Sequence, residues 1–437
     1  MPKKILYISS LNPLKGPGAI SMDHVKALIQ DGYQVDFLTM FPVEGHPEIR
    51  HAISTNKLLR FLNYRIGKLR RHKFLQLQKN IKPLNNDGPF YYFYRKENEP
   101  PIPTRTILRK IDKNYDLIII FFWQGLLSYE TLDKIFEKSG NNPKVYFINA
   151  DYSTMTGGCH FFCSCRKFET GCGCCPMISS KDPNDFTAWN VKYRKKIISK
   201  IKPYVSINGF TQEYFKSSFV LKENANFIFG SVVLDMEKFK PMDKLEFRKK
   251  YDIQKDKFII LVGAQSFAEE RKGKKYFLKA LEHLYNNLTI VDREKILIVT
   301  IGNNALLTES SLFNQRNLGY LPVNVLPEIY SMANVFVSPS VNDPGPSMVN
   351  QSIACGTPVV SFEMGTALDV IKNQDSGICV PLKDSKAMAK AIEKIFKMGK
   401  KEYERMRMSA RDTALKLHSY KSFTDRINNI LQNKPQN

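Results

Sequence analysis

The stretch "NVFVSPSVNDPGPSMVNQSIACGTPVVSF", Asn334 to Phe362, decides the fold. "NVFVSPS" is a continuous apolar run, the pattern of a strand buried on both faces. "PSMVNQSIAC" then reads as a helix, and Gly356 stands at its C-terminal stop. "TPVVSF" is a second apolar strand. Strand, helix and strand in that order make a crossover between parallel neighbours, so the class is α/β. Between the first strand and the helix, Asp343 to Ser347 form a loop that enters a helix N-terminus. Unpaired N–H groups and the positive end of the helix dipole make such a place a seat for a diphosphate. Asn350, one turn inside, can offer an amide to a sugar hydroxyl. The same residues also describe a well-capped helix of any α/β protein.

Outward from this stretch the pattern repeats. "KILYIS", "QVDFLTM", "DLIIIFFW", "KVYFINA" and "YVSIN" form one series of apolar runs, ending at Asn208. "ANFIFGS", "KFIILVGA", "KILIVTIG", "NVFVSPS", "TPVVSF" and "GICVPL" form a second. Helical stretches separate them, which predicts two doubly wound, Rossmann-like domains with a seam near residue 210. The expected division is 1–210, 211–414 and a final helix over 415–437. Ligands in such sheets sit beyond the carboxyl ends of the strands, and each candidate site below follows one of these runs.

The 437 residues are 43% hydrophobic and 24% charged, an ordinary soluble composition that excludes a collagenous or low-complexity chain. No apolar run approaches the roughly 18 residues that cross a bilayer. "MPKKILYISSLNP" reads as a first strand rather than a signal peptide, since its apolar part is short and no small-residue cleavage site follows. The expected compartment is the cytoplasm. The formal net charge of +23 calls for an anionic partner: nucleotide phosphates, nucleic acid or an acidic membrane surface. From Lys57 to Lys82 the chain holds no acid, and Leu58, Leu62, Ile66 and Leu69 recur at helical spacing among Lys and Arg. That is the pattern of a basic amphipathic helix lying on an anionic bilayer, or of a solvated helix packing its leucines inward.

The segment from Val337 to Gly365 resembles the donor-binding region of family-four retaining glycosyltransferases, which have the GT-B fold. That family carries a glutamate, seven residues, a second glutamate and then "GTPVV". Here the matching positions are Asn342 and Asn350, with Asp343 beside the first as a carboxylate. The resemblance implies two Rossmann-like domains facing across a cleft, with Asn342 and Asp343 at the reacting sugar. Gly345, Pro346, Ser347, Met348 and Asn350 would lie around the donor. In "LVGAQSFAEERKGKKYF", from Leu261, the family's Lys before Gly is matched by Lys272. Ala264 replaces its Arg, and Arg271 supplies that charge. Two cations there would stabilise a leaving diphosphate. Gly16 and Gly18, after the first strand, match the family's opening glycine loop. After "DLIII" the family often has a histidine, where Phe122 and Trp123 stand, as a sugar platform or as core.

"GGCHFFCSCRKFETGCGCCP" lies in an insertion spanning 156–176 and holds six of the eight cysteines. In a reducing compartment such a cluster suggests metal before disulfides. Cys159, Cys165, Cys172 and Cys175 can close a tetrahedral zinc site, with Cys163, Cys174 or His160 as substitutes. An iron–sulfur cluster or unliganded thiols are the alternatives. A surface-polysaccharide branch of the family has a similar insertion, which implies a structural clip beside an acceptor pocket. The whole resemblance implies a retaining hexosyltransferase. It would move a sugar from a nucleoside diphosphate sugar, UDP- or GDP-linked, to a growing glycan on a lipid carrier, with no catalytic metal and no nucleic-acid partner. A nucleic-acid-binding protein with a zinc module, or an inactive sugar-binding relative, are the other readings.

Overall fold

All four residues of Leu117–Ile120 are buried, as are all four of Val335–Ser338. Strands this apolar have no wet face, so helices must cover both sides. A computed structural model shows how. It describes residues 2–14, 16–41, 43, 46, 49, 51–52, 96–140, 142–230, 233–303, 312–371 and 375–433. The basic run Lys57 to Lys82 lies outside them.

The chain divides into two units. The first holds Met1–Ile207, Thr211–Val232 and Phe423–Asn437; the second holds Asn208–Phe210 and Val233–Ser422. In the first unit the strands are β1 (Lys4–Ser9), β2 (Gln34–Thr39), β3 (His51–Ala52), β4 (Leu117–Ile120), β5 (Lys144–Phe147), β6 (Tyr204–Ile207) and β7 (Asn226–Phe229). They form one parallel sheet of order β3-β2-β1-β4-β5-β6-β7 among the described residues. One result corrects the sequence grouping. Asn226–Phe229 reads as the opening of the second series, yet it pairs with β6, Tyr204 against Asn226. As an outer strand it buries only Ile228 fully, so its apolar signal does not say which sheet it joins.

The second unit has β8 (Phe258–Ser266), β9 (Ile296–Asn303), β10 (Asn314–Asn317), β11 (Val335–Ser338), β12 (Val359–Phe362) and β13 (Gly377–Val380). Their order is β10-β9-β8-β11-β12-β13, again all parallel. Period-two alternation divides the core. Ile260, Val262, Val335, Val337 and Val360 face helices Lys274–Asn287 and Ser385–Phe396. Ile259, Leu261, Phe336 and Val359 face helices Ser347–Ala354 and Lys400–His418. The tail is two helices rather than one, broken at Ser419 before Tyr420–Gln432.

Strand order reverses between β1 and β4 in one unit and between β8 and β11 in the other. These switch points open a crevice at the carboxyl ends of their strands. No helix among the described residues is long and apolar enough to cross a membrane.

Candidate functional site

The second unit's switch point gathers the residues singled out by sequence. The sequence ends β8 at Gly263; the strand runs on to Ser266 through an irregularity after Gly263. Gly263 is small for a packing reason. A Cβ there would lie 2.4 Å from Met348 Cε and 2.6 Å from Ile301 Cγ1, so the missing side chain lets the helix start sit on the strand. After β8, Glu270–Lys272 make one tight turn and Gly273 takes φ +73°. A Cβ on Gly273 would stand 1.8 Å from Pro339 O, just past β11. The two loops therefore touch through backbone, and Val341 N–H donates to Arg271 C=O at 2.8 Å.

This contact brings the charges together. Lys272 Nζ lies 2.6 Å from Asp343 Oδ2, and Arg271 Nη1 lies 3.2 Å from the same oxygen. Arg271 Nη2 also meets Glu269 Oε2 at 2.6 Å. Asp343 is buried, and burial pushes its carboxyl up. The charges of Lys272 and Arg271, with hydrogen bonds from Lys272 and the Gly345 N–H, outweigh this and hold it below the ordinary carboxylate value. Asp343 thus stays ionised in the interior. Its Oδ1 accepts from Gly345 N–H, which folds the loop ahead of helix Ser347–Ala354. That helix has Pro346 at its N-cap and no side-chain cap, so no side chain occupies the N–H groups of its first turn.

Asn342 is half-buried, while Asn350 is fully buried and its Oδ1 accepts from Thr366 Oγ1 at 3.0 Å. Asn350 Oδ1 therefore braces the segment after β12. Gly345, Ser347 and Met348 are partly exposed around the same loop, with Pro346 buried behind it. Gly365, at φ +55°, leaves room for the carbonyls of Asp343 and Pro344, where a Cβ would approach to 2.4 and 2.9 Å.

In the first unit, Gly16 has φ +52° with open space around its Cβ position. Gly18 has none: a Cβ would come within 2.0 Å of Asn12 O, so the loop's own backbone requires this glycine. Both follow β1 at that unit's switch point. After β4, Phe122 takes φ +50°, unusual for a bulky residue. Trp123 is buried edge-on to Tyr129, with the Arg194 guanidinium 5.4 Å from its ring, and is core rather than a sugar platform.

Several partners are invisible to motif reading. Glu269 balances Arg271. Asn208 Nδ2 donates to Pro344 O at 2.6 Å, and Asp369 accepts from Gly209 N–H at 3.0 Å. In the first unit Asp151 accepts from Ser153 and pairs with His160 Nδ1 at 2.7 Å. The buried Arg194–Glu97 pair, at 2.6 Å, spans 97 positions, and Arg194 also donates to the carbonyls of Ser153 and Thr156. Only the adjacency of opposite charges in "AEERKG" hinted at one of these contacts.

Residues 243–413 match the family model described as Glycosyl transferases group 1. The match takes in Arg271, Lys272, Asp343 and the helix they face. An uncharacterized glycosyltransferase of Methanocaldococcus jannaschii is 27% identical over 169 residues, 37% of this chain and 42% of that protein. A D-inositol 3-phosphate glycosyltransferase of Geodermatophilus obscurus is 25% identical over 175 residues, 37% of this chain and 38% of that one. The matched segments thus span under half of these relatives' lengths. Among solved structures, sucrose-phosphate synthase from Thermosynechococcus elongatus aligns over 99% of this chain and 98% of its own, at TM-score 0.66 and 16% identity. HepE of Anabaena, in complex with UDP-glucose, aligns over 98% and 99% at TM-score 0.59 and 12% identity. These likenesses establish the fold, which is GT-B.

Proposed function

We propose that this protein is a retaining hexosyltransferase that uses a nucleoside diphosphate sugar, with a uridine nucleotide as the first candidate. One observation carries the reading. Two cations from the loop after β8 converge on a buried carboxylate in the loop after β11, before a helix start with no side-chain cap. The HepE structure is a complex with UDP-glucose, which supports the choice of base. Lys272 and Arg271 would take up the charge that develops on the leaving diphosphate. The anomeric carbon–phosphate oxygen bond breaks, the acceptor oxygen bonds to that carbon, and the acceptor proton passes to the departing diphosphate. Such a reaction depends on positioning rather than on a protein nucleophile.

The acceptor is a growing glycan on a lipid carrier, and the basic run Lys57 to Lys82 holds the enzyme to the anionic cytoplasmic leaflet. A nucleic-acid role is not favoured by the comparisons. The test is a thermal-shift panel of UDP, GDP, ADP and their sugars, followed by sugar release from the best binder. A clear rise in Tm with one nucleoside diphosphate, together with slow hydrolysis of its sugar conjugate, is expected. No shift with any of them would overturn the proposal.

A further inference from the structure

In the first unit a cavity of about 20 Å³ is lined by Cys159, Cys165, Cys172 and Cys175, with Phe162, Phe168 and Met177 around them. That volume accommodates a single water-sized particle. The four are free thiols, not disulfides. Cys159 and Cys175 are buried, and Cys165 and Cys172 are partly so. Cys175, Cys172 and Cys165 all lie within electrostatic reach of Cys159. A thiol is a poor hydrogen-bonding group to collect in an apolar hole.

The backbone around the cavity is costly to build. Cys163, Cys172, Cys174 and Ser179 all take positive φ, between 41° and 58°, alongside Gly171 and Gly173. Conformations of this kind cost of order 1–3 kcal/mol each and persist where the surroundings over-determine them. Gly157 and Gly173 have no room for a Cβ, which would fall 2.3 Å from Thr187 O and 2.2 Å from Pro183 O. Lys167, which also lines the cavity, donates to the carbonyls of Gly173 and Cys174. Arg194 lies within electrostatic reach of Cys172. Among the described residues no group of three or more His, Cys, Asp or Glu is already arranged to hold a metal. Closure around an ion therefore needs side-chain rotation.

We infer that Cys159, Cys165, Cys172 and Cys175 close on one zinc ion at this cavity, making it a structural centre that fixes the 156–187 segment. The exchange balances: one Zn²⁺ enters, four thiol protons leave to solvent, and the tetrathiolate centre carries a charge of −2. Lys167, beside the cavity, offsets part of that charge. The thiols must draw in to Zn–S distances of about 2.3 Å. This inference is independent of the sugar-transfer reading.

The test uses the full chain purified under reducing conditions without chelator. Elemental analysis should find about one zinc per chain, from the four-thiolate ligand count. Replacement by cobalt should give the intense sulfur-to-metal and red d–d absorption of a tetrahedral thiolate site. Cys172→Ser with Cys175→Ser should abolish that spectrum, whereas Cys355→Ser should leave it intact. Wild-type protein that holds neither zinc nor cobalt would overturn the inference, as would an iron–sulfur chromophore or a disulfide among these four. Should the double variant fail to fold, release of about four protons per zinc by the chelated and reloaded wild type decides the same question.

Discussion

Asp343 holds two cations at once, and its charge state governs how they stand. Lys272→Ala should weaken nucleoside diphosphate binding by about 1.5–3 kcal/mol, the usual worth of a hydrogen bond to a charged group, with little change in fold. Calorimetry showing unchanged affinity would take Lys272 out of the site. Asp343→Asn should cost about 1–3 kcal/mol of stability, because Arg271 and Lys272 lose a buried counter-charge. A nucleoside diphosphate should restore more Tm to this variant than it adds to wild type, since the ligand replaces the missing charge. The pH dependence has a definite sign. The folded Asp343 carboxyl lies below its ordinary value of 3.8, so its contribution is complete above that value and is lost as pH falls through the folded one. Urea denaturation at pH 5 and pH 3 should therefore show a smaller acid loss in Asp343→Asn than in wild type. An equal loss would place the acid sensitivity elsewhere.

At the scale of elements, the site depends on two loops meeting at a switch point, and Gly273 is where they meet. Gly273→Ala adds a Cβ 1.8 Å from Pro339 O at a φ of +73°, where no soft side chain can yield. It should lower stability by about 2 kcal/mol or more and separate Lys272 from Asp343. Gly399→Ala, with nothing within 4 Å and φ −64°, is the control and should lower Tm far less. Equal melting temperatures in the two variants would refute this view of the loop contact. Much of the arrangement was legible in sequence. Strand, loop and helix follow in order from Val335 to Ala354, and Gly356 ends the helix at φ +68°. Apolar runs reveal that a strand is buried but not its neighbour, which is why Asn226–Phe229 reads with the second series yet pairs in the first unit's sheet. The bond from Thr366 to Asn350, sixteen residues apart, has no local signature.

The whole molecule carries a surplus of 23 positive charges, and the described ion pairs do not account for where that surplus acts. Many of the exposed pairs are already matched, such as Lys200 with Asp133 and Lys250 with Glu328. Lys57 to Lys82 differs in having no acid of its own. If this run docks the enzyme beside a lipid-linked acceptor, each Lys or Arg near an anionic surface contributes about 1 kcal/mol. That attraction is screened over about 10 Å at 0.1 M salt. Vesicles rich in anionic lipid should therefore carry the protein upward in flotation, neutral vesicles should not, and added salt should release it. Reversing Arg65, Lys68 and Arg70 to Glu changes the local charge by six, enough on this scale to abolish flotation. Sugar-nucleotide hydrolysis in solution should persist in that variant, since none of the three belongs to the Lys272–Asp343 cluster. Binding that ignores vesicle charge would remove the membrane from the proposal and leave the sugar-transfer reading to its own tests.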